Sequence, residues 1–500
     1  MTFDLTGGKT LIRGAAWNLL GQSLPVIAAF LFVPLLVRGL GVERFGILSL
    51  AWMLIGYFSL FDLGMGGALT RMVSERLASR REAEVPALVW TSLVLTCAMG
   101  LVGTVVIAAL APWLVSDVLK VPVAFRAETI GLLEVLAFSL PVVTGTAALS
   151  GTLAAQQRFG VLNAIRIPMG IFTYGGPLLV LPFGASLVPI AIVLAVGRGI
   201  AGLVHLAACL ATTPGLRQAV RLDRRLVRPL ASFGGWMTVT SAVGPLMVYM
   251  DRFLIGGMLS MAMVAYYTTP YDLTSRMWIL SLPVVGVLFP AFAACSRTDP
   301  PRAARLFDWG LRTVALLLFP AALLLGTFAA EILRFWLGPD FAAQGAPVLR
   351  LLAVGMFVNG LAQVALALVQ GSGRPDLGAR LHLVELPLYL TAVWLLIRAH
   401  GIEGAAMAWL GRVSVDAIAL FFLAARQLPR GRVGGPRLAL AGAVALLALV
   451  TGCLLPGLAP RVLFASVVLL VAAVIGWRLV AVPGLQVLRD LGPATTRERA

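Results

Sequence analysis

The sequence predicts an all-α, polytopic membrane protein of about fourteen transmembrane helices, arranged as two pseudo-symmetric six-helix lobes followed by two C-terminal helices. Three observations lead there. The 500 residues are 60% hydrophobic and only 12% charged, about half the charged fraction of an ordinary soluble protein. The apolar residues come in blocks of roughly 20, the length that crosses a bilayer core, and show no polar face. Matched residues recur between the two halves at a nearly constant offset.

The blocks follow one another along the whole chain. Met1 to Arg13 is polar, and the apolar block after it is too long for a signal-peptide core, so a retained first span is expected. The first six spans run near 14–37, 45–66, 86–112, 127–153, 160–181 and 184–211. The next six run near 231–257, 264–292, 313–331, 349–370, 381–397 and 402–424. Two more fall near 438–456 and 462–477. An even count places both termini on one side.

The loop charges choose that side. With the N-terminus in the cytoplasm, the inner segments hold 26 of the 39 Lys and Arg residues, the outer loops hold 8, and 5 lie within spans. Basic residues concentrate on the cytoplasmic side of membrane proteins, so both ends are expected in the cytoplasm of a bacterial inner membrane. The net charge of +17 is therefore a topological signal, and no nucleic-acid partner is expected. The loops reach only about twenty residues, which leaves no room for a soluble domain. Cys97, Cys209, Cys295 and Cys453 have no C-x-x-C spacing, and His205, His382 and His400 do not cluster in sequence. No metal, cofactor or disulfide framework is expected.

The duplication is carried by paired positions. Arg38 and Arg252, Gln156 and Gln370, and Gly197-Arg198 and Gly411-Arg412 are 214 residues apart, while Trp17 and Trp236, and Pro168 and Pro387, are 219 apart. An offset of six spans is even, so the repeats keep the same orientation, with the two lobes related by an axis along the membrane normal and the pathway in the cleft between them. The expected organisation is an N-terminal lobe at 1–212, a basic cytoplasmic linker at 213–230, a C-terminal lobe at 231–425, and two further spans with a cytoplasmic tail at 426–500.

Charges inside the spans are the candidate functional residues. An ionisable group at a helix centre costs about 2.5–3.5 kcal/mol on insertion scales and normally faces a bundle interior or a wet cavity. The basic set is Arg166, Arg198, Arg252, Arg276 and Arg412; the acidic set is Asp62, Glu134, Asp251, Asp272, Glu385 and Asp416. Asp272 with Arg276 and Arg412 with Asp416 stand four residues apart, the spacing of pairs on one helix face. Arg198 lies mid-span between two glycines with no acid one turn away. It needs an anion, a water-filled cavity or an acid on another helix; an anionic ligand is the preferred reading, with Glu134 the alternative partner. Arg252 and Arg166 lie near span ends, where long side chains snorkel. The arginines together suit phosphate, because the planar guanidinium binds two oxygens at once. Asp62, Glu134, Asp251 and Glu385 are candidates for ion coupling. Prolines within several spans, among them Pro25, Pro34, Pro141, Pro168, Pro245, Pro283 and Pro290, free carbonyls and permit bending.

Motifs then suggest a family. Trp17-Asn18 is followed by Pro34-Leu35-Leu36-Val37-Arg38-Gly39-Leu40-Gly41, Glu43-Arg44-Phe45-Gly46, Phe61-Asp62-Leu63-Gly64, Arg71 and Glu75. Leu337-Gly338-Pro339-Asp340-Phe341, Ala346 to Arg350 and Gly401 to Ala406 extend the pattern. The chain resembles the polysaccharide transporter, or O-antigen flippase, family of the multidrug/oligosaccharidyl-lipid/polysaccharide exporter superfamily. The likeness runs through span 12, although Tyr271 to Arg276 is more charged than the family's span 8. The resemblance implies two lobes around a V-shaped cavity and flipping of an undecaprenyl-diphosphate-linked oligosaccharide to the periplasmic leaflet. It also implies alternating access driven by an ion gradient or membrane potential. Membrane lipids and the polysaccharide polymerase and export machinery are the implied partners. The alternatives are a lipid II flippase or a multidrug/ion antiporter of the same superfamily. A membrane polysaccharide polymerase or ligase would need a large catalytic loop, and none of the outer loops is long.

Overall fold

Within hydrocarbon a chain must satisfy its own backbone groups, and a helix does so within one segment. The structure is a computed structural model that describes residues 8–57, 65–79, 81–156, 158–213, 215–218, 220, 222–228, 247, 249–296, 299–428 and 436–491; among these there is no strand. Eight helical segments of the described residues are long and apolar enough to cross a membrane, and a bent pair makes a ninth. The expected count of fourteen includes residues outside the described set, among them most of span 7.

The helices fall into two compact units, Met1–Ala265 and Tyr266–Ala500. The stretch expected as an inter-lobe linker, 213–230, belongs to the first unit by this division.

The first unit contains α1 (Gly8–Leu40), α2 (Val42–Tyr57), α3 (Met65–Ala78), α4 (Val85–Trp113), α5 (Val123–Phe138), α6 (Leu140–Ala155), α7 (Phe159–Gly175) and α8 (Leu187–Thr212). It also holds α9, described at residues 249–258. Helix α3 was not expected, because its stretch carries Arg71, Glu75 and Arg76 and reads as a loop. It is stabilised by packing on α6. Gly151 permits the approach: a Cβ there would lie 2.4 Å from the Gly66 carbonyl oxygen. Thr70 Oγ1 bridges the same contact, donating to the Gly151 carbonyl at 3.0 Å. Helices α4 and α6 meet likewise at Gly100, where a Cβ would lie 2.6 Å from Pro141 Cα, with Thr144 Oγ1 donating to Thr96 O at 2.9 Å. Small residues and interhelical hydrogen bonds replace the hydrophobic effect between helices when the solvent is lipid. At one end of the unit Arg44 of α2 pairs with Glu128 of α5 at 3.1 Å. Glu128 also accepts from the Leu187 backbone N–H that opens α8, and the Arg44 guanidinium lies 4.9 Å from the centre of the Phe125 ring. One carboxylate thus ties three helices together.

The second unit begins within α10 (Met261–Ser275) and continues with α11 (Trp278–Cys295), α12 (Pro300–Thr327), α13 (Ala329–Leu337), α14 (Pro339–Gly371), α15 (Pro375–Gln427), α16 (Pro436–Leu454) and α17 (Leu458–Leu491). Helices α10 and α11 are the bent pair, turning by 44° at Arg276-Met277. Asp299 caps α12, accepting from the Arg302 N–H at 3.0 Å. Helix α14 is the core: Leu352, Met356, Phe357, Val364 and Leu368 are all fully buried. The two C-terminal helices dock on α12, where a Cβ at Gly452 would lie 2.4 Å from Thr327 Oγ1. Their connection is fastened by Arg461, which donates to Glu331 of α13 at 2.8 Å and to the Leu455 carbonyl at 2.7 Å.

Helix α15 is two antiparallel limbs, as the expected spans 11 and 12 require. The break is at Gly401, with φ 57° and ψ −137°, a combination that side chains disfavour. A straight helix would hold His382 and Asp416 about 50 Å apart, yet they are 3.5 Å apart. The reversal is tight: a Cβ at Gly404 would lie 1.9 Å from the Leu396 carbonyl oxygen. The paired glycine-arginine motifs occupy equivalent places, since Arg198 follows the start of α8 at Leu187, and Arg412 follows the break at Gly401, by the same number of residues.

Two stability predictions follow from these contacts. Gly401→Ala is expected to cost about 1–3 kcal/mol through backbone strain, and Gly404→Ala more, because a carbonyl must move; thermal unfolding of the purified protein in detergent measures both, and unchanged midpoints would refute the tight reversal. Glu128→Gln is expected to lose about 1.5–3 kcal/mol, the worth of hydrogen bonds to a charged group, and the same assay with Arg44→Gln as the second arm of a double-mutant cycle isolates the coupling.

Candidate functional site

In the first unit the chemistry gathers on α7 and α8. Helix α8 is apolar for most of its length, and Arg198 stands in it between Gly197 and Gly199. Gly197 packs on Phe172, whose ring a Cβ would approach to 2.3 Å. Arg198 itself is half-buried, and its Nη1 is buried with no hydrogen-bond partner. Two turns further along, His205 is buried, with Nδ1 2.8 Å from the Ala201 carbonyl and Nε2 unsatisfied. Arg166, exposed on α7, is near enough for its charge to act on His205. Glu134 of α5 is half-buried; among the described residues no ion pair joins it to Arg198, so the alternative acid partner is not engaged. This face offers buried donors and positive charge.

Asp251 and Arg252 of α9 are both buried, at 0% and 3% exposure. The Asp251 carboxylate accepts from the Arg252 backbone N–H at 2.8 Å, and the guanidinium lies 5.1 Å from the centre of the Tyr249 ring. Arg252 therefore stays inside the protein rather than snorkelling to an interface.

The second unit holds a different arrangement, built across the two limbs of α15. His382, Glu385 and Tyr389 stand on the first limb at spacings of three and four, which share a helix face; Arg412 and Asp416 stand on the second. Ligand atoms of His382, Glu385 and Asp416 lie within 4.8 Å of one another. Glu385 and Asp416 are buried, and neither Glu385 oxygen has a hydrogen-bond partner. Two carboxylates form a hydrogen bond only when one carries a proton. Arg412 and Asp416 do not form the ion pair that their spacing suggested. Asp416 faces His382 at 3.5 Å, while the Arg412 guanidinium sits 5.3 Å from the centre of the Tyr389 ring. The three ligand atoms have the spacing of a small cation site, but the neighbouring guanidinium opposes a divalent charge, and no metal is assigned to them.

Arg276, with Asp272 one turn before it, marks the break between α10 and α11. Asp62 lies outside the described residues. Sequence reasoning missed His205 and His382 because it looked for histidines near each other in the chain. The usable signal was the i, i+3 step from His382 to Glu385 beside an i, i+4 step from Arg412 to Asp416 on the next span. All four cysteines are free.

The long apolar helices in two units, with charges buried at chosen points in the spans, define a class: a polytopic helical membrane protein. The chain belongs to the polysaccharide biosynthesis protein family, whose profile matches residues 11–296. It is similar to a candidate O-antigen transporter of Shigella flexneri, 26% identical over 427 residues that cover 84% of this chain and 98% of the relative. Its fold is that of the lipid II flippase MurJ in an inward closed conformation, with a TM-score of 0.72 and 13% identity over 93% of this chain and 99% of that one. It is also similar to an inward-facing multidrug resistance MATE family transporter of the MOP superfamily, with a TM-score of 0.66 and 13% identity over 86% of this chain and 96% of that one. At such identities the likeness speaks for the fold. The polysaccharide family suggested by the N-terminal motifs is borne out.

Proposed function

We propose that this chain flips an undecaprenyl-diphosphate-linked oligosaccharide from the cytoplasmic to the periplasmic leaflet of the inner membrane, by alternating access, in the synthesis of a cell-surface polysaccharide. The observation that carries the reading is Arg198, whose buried Nη1 has no partner of its own in a span where such a charge is expensive. A diphosphate supplies the anion that would repay this cost, and a guanidinium binds it through two oxygens. Arg166, Arg252, Arg276 and Arg412 are the further candidates for contacts to the diphosphate or its sugars. The similarity to a candidate O-antigen transporter and the shared fold of a lipid II flippase support a lipid-linked glycan as cargo. Excess arginine disfavours an exporter of organic cations, which would want acids around its cargo. In this reading the acids Glu134, Asp251, Glu385 and Asp62 serve ion coupling, and the polymerase and export machinery receive the flipped product.

Deleting the gene is expected to accumulate the lipid-linked oligosaccharide on the cytoplasmic side and abolish surface glycan, as read by mass spectrometry of extracted lipids. Restoring Arg198→Ala should fail to rescue at normal protein levels, whereas Arg198→Lys should rescue in part, because charge persists without the planar fork. Full rescue by Arg198→Ala would remove this residue from the site. The orientation is tested separately: green fluorescent protein fused at the C-terminus should fluoresce, and alkaline phosphatase inserted at Lys120 should be active. The opposite pattern would invert the topology inferred from the basic loops.

A further inference from the structure

Resting on the transporter reading and deepening it, we propose that His382, Glu385, Asp416 and Arg412 form a proton-carrying site, and that transport by this chain is coupled to the gain and loss of one proton there. Glu385 and Asp416 are 6% and 3% exposed, and their oxygens lie within 4.8 Å of each other and of a His382 ring nitrogen. Like charges so close and so little solvated cannot both persist without a cation between them. The charged groups acting on Glu385 are Asp416, Arg412 and His382. Helix α14, packed against α15, carries only Asp340 and Arg350, both far from its C-terminal part, where Leu366 meets Gly378 of α15. With Arg412 positive and His382 neutral, the set has a net charge of minus one. A single added proton makes it neutral, and a second would leave an unmatched positive charge in the span.

The geometry favours a proton over a metal ion. Hard cations take a shell of oxygens, whereas one of the three converging atoms here is an imidazole nitrogen. The imidazole also provides a route. The His382 side chain is 32% exposed and the Asp416 side chain only 4%, so the imidazole is the more accessible member of the pair. A proton taken from water onto the imidazole forms an N–H bond; transfer to a carboxylate breaks that bond and forms O–H, and the reverse steps release it. Each limb carries one base and one acid, His382 with Glu385 and Arg412 with Asp416, and the limbs join at Gly401. A proton on His382 draws it toward Asp416 on the other limb, and loss of the proton weakens that attraction. Charge at the site therefore biases the packing of the two limbs, which is what coupling to a conformational change requires.

Infrared difference spectroscopy of the purified, full-length protein in lipid nanodiscs, stepped between about pH 6 and pH 8 around the working range of histidine, reads the protonated-carboxyl band directly. The wild type is expected to show this band, Glu385→Gln and Asp416→Asn to lose or displace it, and sodium in place of potassium to leave it unaltered. His382→Gln, at a half-exposed position, tests the route should the acid variants fold poorly, and it is expected to slow the exchange. An identical band in wild type and both acid variants would overturn the proposal, as would a band removed by sodium, which would assign a metal cation. Glycan export by Glu385→Gln cells that matches wild type at both pH values would overturn the coupling. A band that behaves as expected in a protein whose deletion accumulates no lipid-linked glycan would instead overturn the proposed cargo.

Discussion

In a bilayer core no water answers a backbone carbonyl or a charge, so each polar group must find its partner inside the protein. The helices follow from this demand, and so does the placing of the hydroxyls. Thr96, Thr104, Thr152 and Thr274 each donate to a carbonyl in the preceding turn of their own helix, and Thr104 and Thr144 also reach across to a neighbour. Among the described residues Arg198, His205 and Glu385 are ionisable groups with buried atoms that have no hydrogen-bond partner. Where the chain keeps an arginine or a pair of carboxylates inside a span, the cost is explained only by something the group holds.

The two units meet that cost in different ways. In the first, Arg198 and His205 leave buried nitrogens without partners on one helix, and among the described residues no ion pair joins Arg198 to Glu134. In the second, acids outnumber what one arginine can neutralise, and an imidazole completes the set. The first arrangement suits an anion and the second a small cation. The two clusters occupy related places: both arginines follow a glycine at the same depth in their helices.

Much of this was legible from the chain. Apolar blocks located the spans because their length has to match the hydrocarbon, and the bend at Arg276-Met277 adjoined a stretch already conspicuous for its charge. Helix α3 was not legible, since Arg71, Glu75 and Arg76 look like loop residues, and only the contact of Gly66 with Gly151 docks the segment on α6. Arg252 was legible as a costly charge but not as a buried one, because proximity to a span end does not tell whether protein or an interface surrounds it. The pairing of Arg412 with Asp416 was suggested by helical spacing, and the other limb of α15 overrode it by offering Asp416 a histidine.

What the sequence by itself determined was the membrane habit, the helical class, the family and the inventory of charges in the spans. These depend on composition, block length and short motifs, all of which are local. Only the tertiary structure decided which of those charges share a site. Partners such as His382 and Asp416 lie on different limbs, and the reversal at Gly401 that joins them is a matter of backbone angles and side-chain packing, which no spacing along the chain encodes.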